Sequence, residues 1–272
     1  MRLSISRKVA IQSPLLAFRA NVTSQCGEDG IIARIIDVIQ PGSKTCVEFG
    51  AWDGVKYSNC FNLVVNNSWN GLFIEANSTK YTELVSTYAN RPNVATANRF
   101  VDFEGSNRLD SILNDYGIPE KFGLLSVDID GNDYYVWDSL VEHEPEIIVI
   151  EFNPSIPNDV DFVQEKSFTV NQGCSLLALV RLGKAKGYEL AVCTDWNAFF
   201  VKRERLQALD VSDNSIDRLY QPVQDGRIFQ GYDGSIHVVG MDRLLWRNVP
   251  LASEDFQVLP LALRVFGDAQ RK

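Results

Sequence analysis

A chain of 272 residues with 45% hydrophobic content is long enough for one α/β domain with extensions. Its net charge of −9 and pI near 4.8 argue against a nucleic-acid backbone as main partner, because phosphates require a basic face. The five cysteines are odd in number, scattered and without a C-x-x-C pair, which suits a reducing compartment. No stretch approaches the roughly 20 apolar residues of a membrane helix, and residues 15–18 are too short for a signal-peptide core. A soluble, cytoplasmic protein is expected.

After an N-terminal arm (residues 1–23), Ser24 to Gly30 leads into a helix with Ile31, Ile32, Ile35, Ile36 and Ile39 on one face. Glu28 and Asp29 suit its positive start, and Pro41-Gly42 stops it. Gln25 and Glu28 are either helix-start chemistry or ligand contacts. The apolar run 45–49 reads as a buried strand ending in a loop with two glycines. Gly50 and Gly54 let the backbone turn tightly and approach a ligand, so a side chain at position 50 is expected to fill ligand space. Glu48 puts a carboxylate at the strand's C-terminal end, where open α/β sheets bind ligands.

A helix over about 58–66 follows, with Ser58 and Asn59 in its first turn. The strand 71–75 ends in Glu75, about 20 residues past the glycine loop, the spacing at which a carboxylate accepts ribose hydroxyls. Glu75 also suits the start of the next helix (78–88). Further strands are expected at 94–97, 122–127, 147–150, 188–193 and 197–201, with helices at about 109–116, 133–140 and 176–187. The connector to Gly173 is long, which favours a lid or substrate wall. Beyond Val201 the pattern fades, with one strand expected at 235–239. Strands alternating with helices mean a doubly wound sheet, whose last two strands can form a hairpin.

The segments S-Q-C-G-E-D-G-I (24–31), V-E-F-G-A-W-D-G (47–54), Y-S-N (57–59), G-L-F-I-E-A-N (71–77), L-L-S-V-D-I-D-G-N-D-Y (124–134) and I-I-V-I-E-F-N (147–153) carry a resemblance. Together they resemble the FkbM-type methyltransferases, a branch of the class I fold that uses S-adenosylmethionine. The resemblance covers 24–203 and leaves 1–23 and 204–272 as extensions. It implies a seven-stranded Rossmann-like sheet with the last strand antiparallel. It also implies O-methylation of a hydroxyl on a sugar or related metabolite, a small-molecule acceptor without nucleic acid or membrane. Glu48, Gly50, Asp53, Gly54, Ser58 and Asn59 would line the cofactor's methionine end, with Glu75 at the ribose and Ala76 beside the adenine. Trp52 would wall the sulfonium, stack on a base, or simply pack. Asn77-Ser78 departs from the proline common in relatives.

An alcohol is a poor nucleophile at neutral pH, so a base or a metal must handle its proton. Asp128, Asp130, Glu151 and Asn153 end adjacent strands about 4.8 Å apart and can converge. Asp128 and Asp130 are the base candidates, and Asp128, Glu151 and Asn153 are the oxygen set for Mg²⁺. Alternatively Asp130 or Asn132 forms an Asx turn and Asp133 caps a helix. His143 and His237 sit in no motif and are expected on the surface or in a strand. Two rivals remain: a D-x-D glycosyltransferase using Mn²⁺ and a nucleotide-sugar, and a binding module without turnover.

Overall fold

The computed structural model describes residues 12–266. Those residues fall into two compact units, one reaching to Asn153 and resuming over Asn158–Gln221, the other combining Pro154–Pro157 with the chain from Pro222 onward. The first unit therefore extends on both sides of the 24–203 span. Residues 1–11 of the N-terminal arm and 267–272 lie outside the described residues.

In the first unit, α1 (Glu28–Ile39) precedes β1 (Thr45–Phe49), α2 (Phe61–Asn66), β2 (Asn70–Ile74), α3 (Ser78–Tyr88) and β3 (Val94–Ala97). Then come α4 (Leu109–Asp115), β4 (Lys121–Val127), α5 (Asp133–Ser139), β5 (Glu144–Glu151), α6 (Leu176–Ala185), β6 (Tyr188–Cys193), β7 (Asn197–Lys202) and α7 (Ile216–Leu219). The seven strands pair in the order β3-β2-β1-β4-β5-β7-β6, with β7 antiparallel to both neighbours. This is the doubly wound, Rossmann-like sheet that the resemblance implied. Strand order reverses between β1 and β4, and ligands of such sheets bind in the crevice beyond the strand ends at that point.

Every residue of β1 is buried, as are six of the seven in β4, because helices cover both faces. Each such Val, Ile, Leu or Phe contributes roughly 1.5–3 kcal/mol by leaving water. The start of α1 is built locally. Asp29 Oδ2 accepts the amides of Val22, Thr23 and Ser24 at 2.8–2.9 Å, and Ser24 Oγ accepts the Asp29 amide. Leu15, in a 3-10 turn at Pro14–Phe18, joins the core.

The second unit holds a two-stranded hairpin, β8 (Arg227–Gln230) and β9 (Ile236–Val239). The alternating apolar run marked β9, whereas four residues opening on Arg227 carried no recognisable strand signal.

Candidate functional site

Glu48 pairs across β1 and β4 with Ser126, so the two side chains share a face. Glu48 Oε2 accepts Ser58 Oγ at 2.5 Å and Oε1 accepts the Asn59 amide at 2.7 Å, while Asn59 Nδ2 donates to Ser126 Oγ at 3.0 Å. The structure thus brings Glu48, Ser58 and Asn59 together, and all three are buried. They spend these bonds on one another and on β4. Burial pushes the Glu48 carboxyl up to about 7, against the opposing pull of its Ser58 and Asn59 donors.

The glycine loop turns through left-handed backbone at Gly50 (φ 73°), Trp52 (φ 49°), Gly54 (φ 77°) and Tyr57 (φ 64°). At Gly50 a Cβ would stand 1.8 Å from the Asp128 carbonyl oxygen. A side chain at position 50, expected to fill ligand space, would first collide with the backbone just past β4. A Cβ at Gly54 would meet Leu84 and Tyr88 at 2.6 Å, and the Gly54 carbonyl accepts the Tyr88 hydroxyl, which docks α3 on the loop. Asp53 Oδ1 accepts the Val55 and Lys56 amides in an Asx turn.

Glu75 follows β2 and joins two loops, its Oε2 accepting the Trp52 amide at 2.8 Å and its Oε1 the Asn77 amide at 2.6 Å. Ala76 beside it is exposed. Asn77 takes over helix initiation, its Oδ1 accepting the Thr79 and Lys80 amides. The Trp52 ring is half-buried, with Lys56 Nζ 4.5 Å and Lys80 Nζ 4.9 Å from its centroid.

Beyond β4 and β5, carboxylate oxygens of Asp128, Asp130 and Glu151 all lie within 4.8 Å of one another. Asp130 adopts φ 56°, a left-handed position that aspartate tolerates. Asp133 builds the turn beneath them, accepting the Ile129 amide on Oδ1 and the Gly131 amide on Oδ2. Burial, then the charges of Asp133, Asp130, Glu48 and Glu28, push the Asp128 carboxyl up to about 8. Burial, then Asp128, Asp133 and Asp130, push Glu151 up to about 10. Every charged neighbour named in these shifts is itself an acid.

A pH dependence follows. Between the ordinary values of 3.8 for Asp128 and 4.5 for Glu151 and these raised values, the folded protein holds protons that the unfolded chain has released. Stability therefore falls as pH rises through that window. Glu151→Gln removes one such group, so its melting temperature should exceed wild type at about pH 8 and converge on it near about pH 4. Equal melting temperatures at both ends would mean that Glu151 is not held in this acidic surrounding.

Asn153, expected with the carboxylates, donates from Nδ2 to the Gln172 carbonyl at 2.9 Å. The acid that joins Asp128 and Glu151 is Asp130. His143, expected on the surface or in a strand, is buried in the turn before β5, its Nδ1 2.9 Å from Asp110 Oδ1. A cavity of about 210 Å³ lined by Trp137, His143, Glu144, Lys186, Tyr188 and Lys202 opens at the opposite edge of the sheet and holds none of these carboxylates.

One buried side chain, Gln164, escaped the sequence reading, and a second, Glu28, has partners that its place at a helix start did not indicate. Gln164, 1% exposed, accepts the Gln172 and Gly173 amides and donates to Asn132 Oδ1 and the Val170 carbonyl. It clasps the long connector against the turn after β4. Nothing in the sequence distinguishes this glutamine from a solvated loop residue. Glu28, fully buried, accepts Thr194 Oγ1 at 2.7 Å and Asn197 Nδ2 at 3.3 Å, tying α1 to the β6–β7 hairpin. Its place in a helix start was the only signal available.

No family model matches the chain, and no curated protein resembles it in sequence. Among solved structures it is similar to the N-terminal domain of EvdMO1, crystallised in the presence of SAH and D-fucose. That likeness has 10% identity and a TM-score of 0.43, over 65% of this chain and 82% of that one. It is also similar to the glycopeptide N-methyltransferase MtfA complexed with sinefungin (10% identity, TM-score 0.40, 67% and 89%). A third is a SAM-dependent methyltransferase from Aquifex aeolicus (9% identity, TM-score 0.39, 62% and 87%). Likenesses of this degree concern the course of the chain alone. Among the described residues no helix is long and apolar enough to cross a membrane.

Proposed function

We propose that this chain is an S-adenosylmethionine-dependent methyltransferase acting on a hydroxyl of a sugar or related small metabolite. One observation carries the reading. Two acidic stations, Glu75 after β2 and the Asp128, Asp130 and Glu151 group after β4 and β5, flank the point where strand order reverses. The cofactor bears a sulfonium and an ammonium, and the Asp128 and Glu151 carboxyls, whose charged neighbours are all acids, would be drawn back to their charged forms by such cations. Glu75 retains acceptor capacity for ribose hydroxyls beside its two amide donors. Glu48, Gly50, Asp53, Gly54, Ser58 and Asn59 shape the intervening loop, and Trp52 and Ala76 stand at its rim.

Bound there, the cofactor would supply an electrophilic methyl group with a good leaving group. The protein's work is to align the acceptor, a contribution worth roughly 7–11 kcal/mol. Asp128 or Asp130 would take the hydroxyl proton, and a carboxyl held near 8 is matched to that task at neutral pH. The clasped connector would exclude water from one side.

A second reading is favoured by the 4.8 Å convergence: Asp128, Asp130 and Glu151 would hold Mg²⁺, which would supply Lewis acidity to the acceptor oxygen. Mg²⁺ should then raise the melting temperature of wild type at about pH 8 and leave Glu151→Gln unmoved.

Calorimetric titration with S-adenosylhomocysteine tests the main reading. Wild type should bind, and Glu75→Ala should weaken binding by about 1–3 kcal/mol through loss of charged hydrogen bonds. Glu75→Gln, which keeps an acceptor oxygen for the loop amides, should retain the fold and lose less. Absence of binding, with a nucleoside diphosphate binding in Mn²⁺ instead, would move the chain to the glycosyltransferase reading. Binding without turnover over an acceptor panel would leave a binding module.

A further inference from the structure

The second unit is too small to stabilise itself. A two-stranded hairpin is marginal in water, and every described residue from Pro222 to Phe266 is half-buried or exposed. Its apolar side chains face outward: Ile228 is 65% exposed, Phe229 52% and Tyr232 95%.

The two strand edges differ. Gly231 donates to the Ser235 carbonyl, so the 231/235 pair is hydrogen-bonded, and alternation makes 229/237 and 227/239 hydrogen-bonded too. Ile236 and Val238 on β9, and Ile228 and Gln230 on β8, then turn their N–H and C=O outward. On β9 the Gln257 side chain plugs this edge, its Oε1 accepting the Ile236 amide at 3.0 Å and its Nε2 donating to the Ile236 carbonyl at 2.8 Å. Among the described residues no side chain does this on β8. That strand also lacks the lysine, proline or bulge with which proteins blunt an edge, and its one charge, Arg227, pairs with Asp225 of the same hairpin.

We propose that β8 is the pairing edge of a homodimer, in which the β8 strands of two copies lie antiparallel about a two-fold axis at Phe229. Ile228 of each copy then faces Gln230 of the other. Their outward N–H and C=O groups close four hydrogen bonds, and the two Phe229 rings meet at the close, non-hydrogen-bonded position on the axis. Register requires this centre, because the outward-facing residues 228 and 230 are symmetric about 229. Charge selects a second copy as occupant. From Pro222 to Lys272 the chain carries six acidic and six basic residues, so the −9 of the protein resides elsewhere. A neutral arm offers nothing to an anionic membrane or nucleic acid, and two neutral arms meet without repulsion.

Sedimentation of the full chain from about 1 to about 100 μM should show a monomer–dimer equilibrium. Ile228→Pro deletes an outward N–H and leaves the hairpin's own bonds intact. Phe229→Lys sets two ammoniums side by side at the axis. Each should raise the dissociation constant about 10-fold or more, with unchanged circular dichroism. Phe229→Cys should form a disulfide-linked dimer on oxidation. Wild type should not, since four native cysteines are buried and burial pushes the half-buried Cys26 up to about 11. A wild type that stays monomeric throughout, or a dimer that persists in both the Ile228→Pro and Phe229→Lys variants, overturns the proposal.

Discussion

Gly50→Val will cost about 3–5 kcal/mol of folding stability, from left-handed strain at a β-branched residue and from displaced backbone. The added Cβ would lie 1.8 Å from the Asp128 carbonyl oxygen, a backbone atom that cannot rotate away as a side chain can. To admit it, the ends of β1 and β4 must separate, at the sheet's strand-order reversal. Gly117→Ala is the control: its φ is 65° but nothing lies within 4 Å of the added carbon. It should lose only about 1–2 kcal/mol, the conformational part. Urea denaturation of both variants reads the difference directly. Equal losses would mean that the β1–β4 approach is looser than described. In the reading proposed above, cofactor affinity also falls in Gly50→Val, as a consequence of the opened crevice.

Asp128→Asn should leave the fold intact and lower methyl transfer by at least about 10²-fold, the lower end for a lost general base. The amide keeps the shape and removes an acid that must hold a proton to stay buried among other acids, so stability at neutral pH should rise while activity falls. That opposition is informative, because a residue serving only packing would lose stability and activity together. In the reading proposed above Asp128 faces the acceptor and the sulfonium, and S-adenosylhomocysteine lacks that sulfonium, so its affinity should change little. EDTA distinguishes the two chemical readings. Inhibition of wild type, with a parallel loss in Glu151→Gln, places Mg²⁺ between Asp128, Asp130 and Glu151. Full activity in EDTA leaves a carboxylate as base. Wild-type rates in Asp128→Asn, Asp130→Asn and Glu151→Gln alike would remove the acidic group from the reaction.

Local signals carried the type and order of the elements in the first unit, though α2 starts only at Phe61 and β5 already at Glu144. The apolar run of β1, the alternation in β9 and the Asn77 cap of α3 act over a few residues, so the order of strands and helices, and with it the doubly wound sheet, is legible in the chain itself. The acids at the ends of β2, β4 and β5 are legible for the same reason: each follows an apolar strand, and parallel strands end together. Partnership is different, because it depends on residues far apart in sequence. Asp130 joins Asp128 and Glu151, and the connector's return at Gln172 takes a bond from the Asn153 amide. Glu48 is spent inside the sheet because Ser58 and Asn59 arrive over it when the loop folds back. Glu28 reaches Thr194 and Asn197 across more than 160 positions. Gly50 is a glycine because of a carbonyl 78 residues away, just past the end of a strand that neighbours β1 only once the sheet is wound. Strand type follows from short-range pattern and burial, whereas a polar group's occupation follows from which donors the finished packing brings within about 3 Å of it.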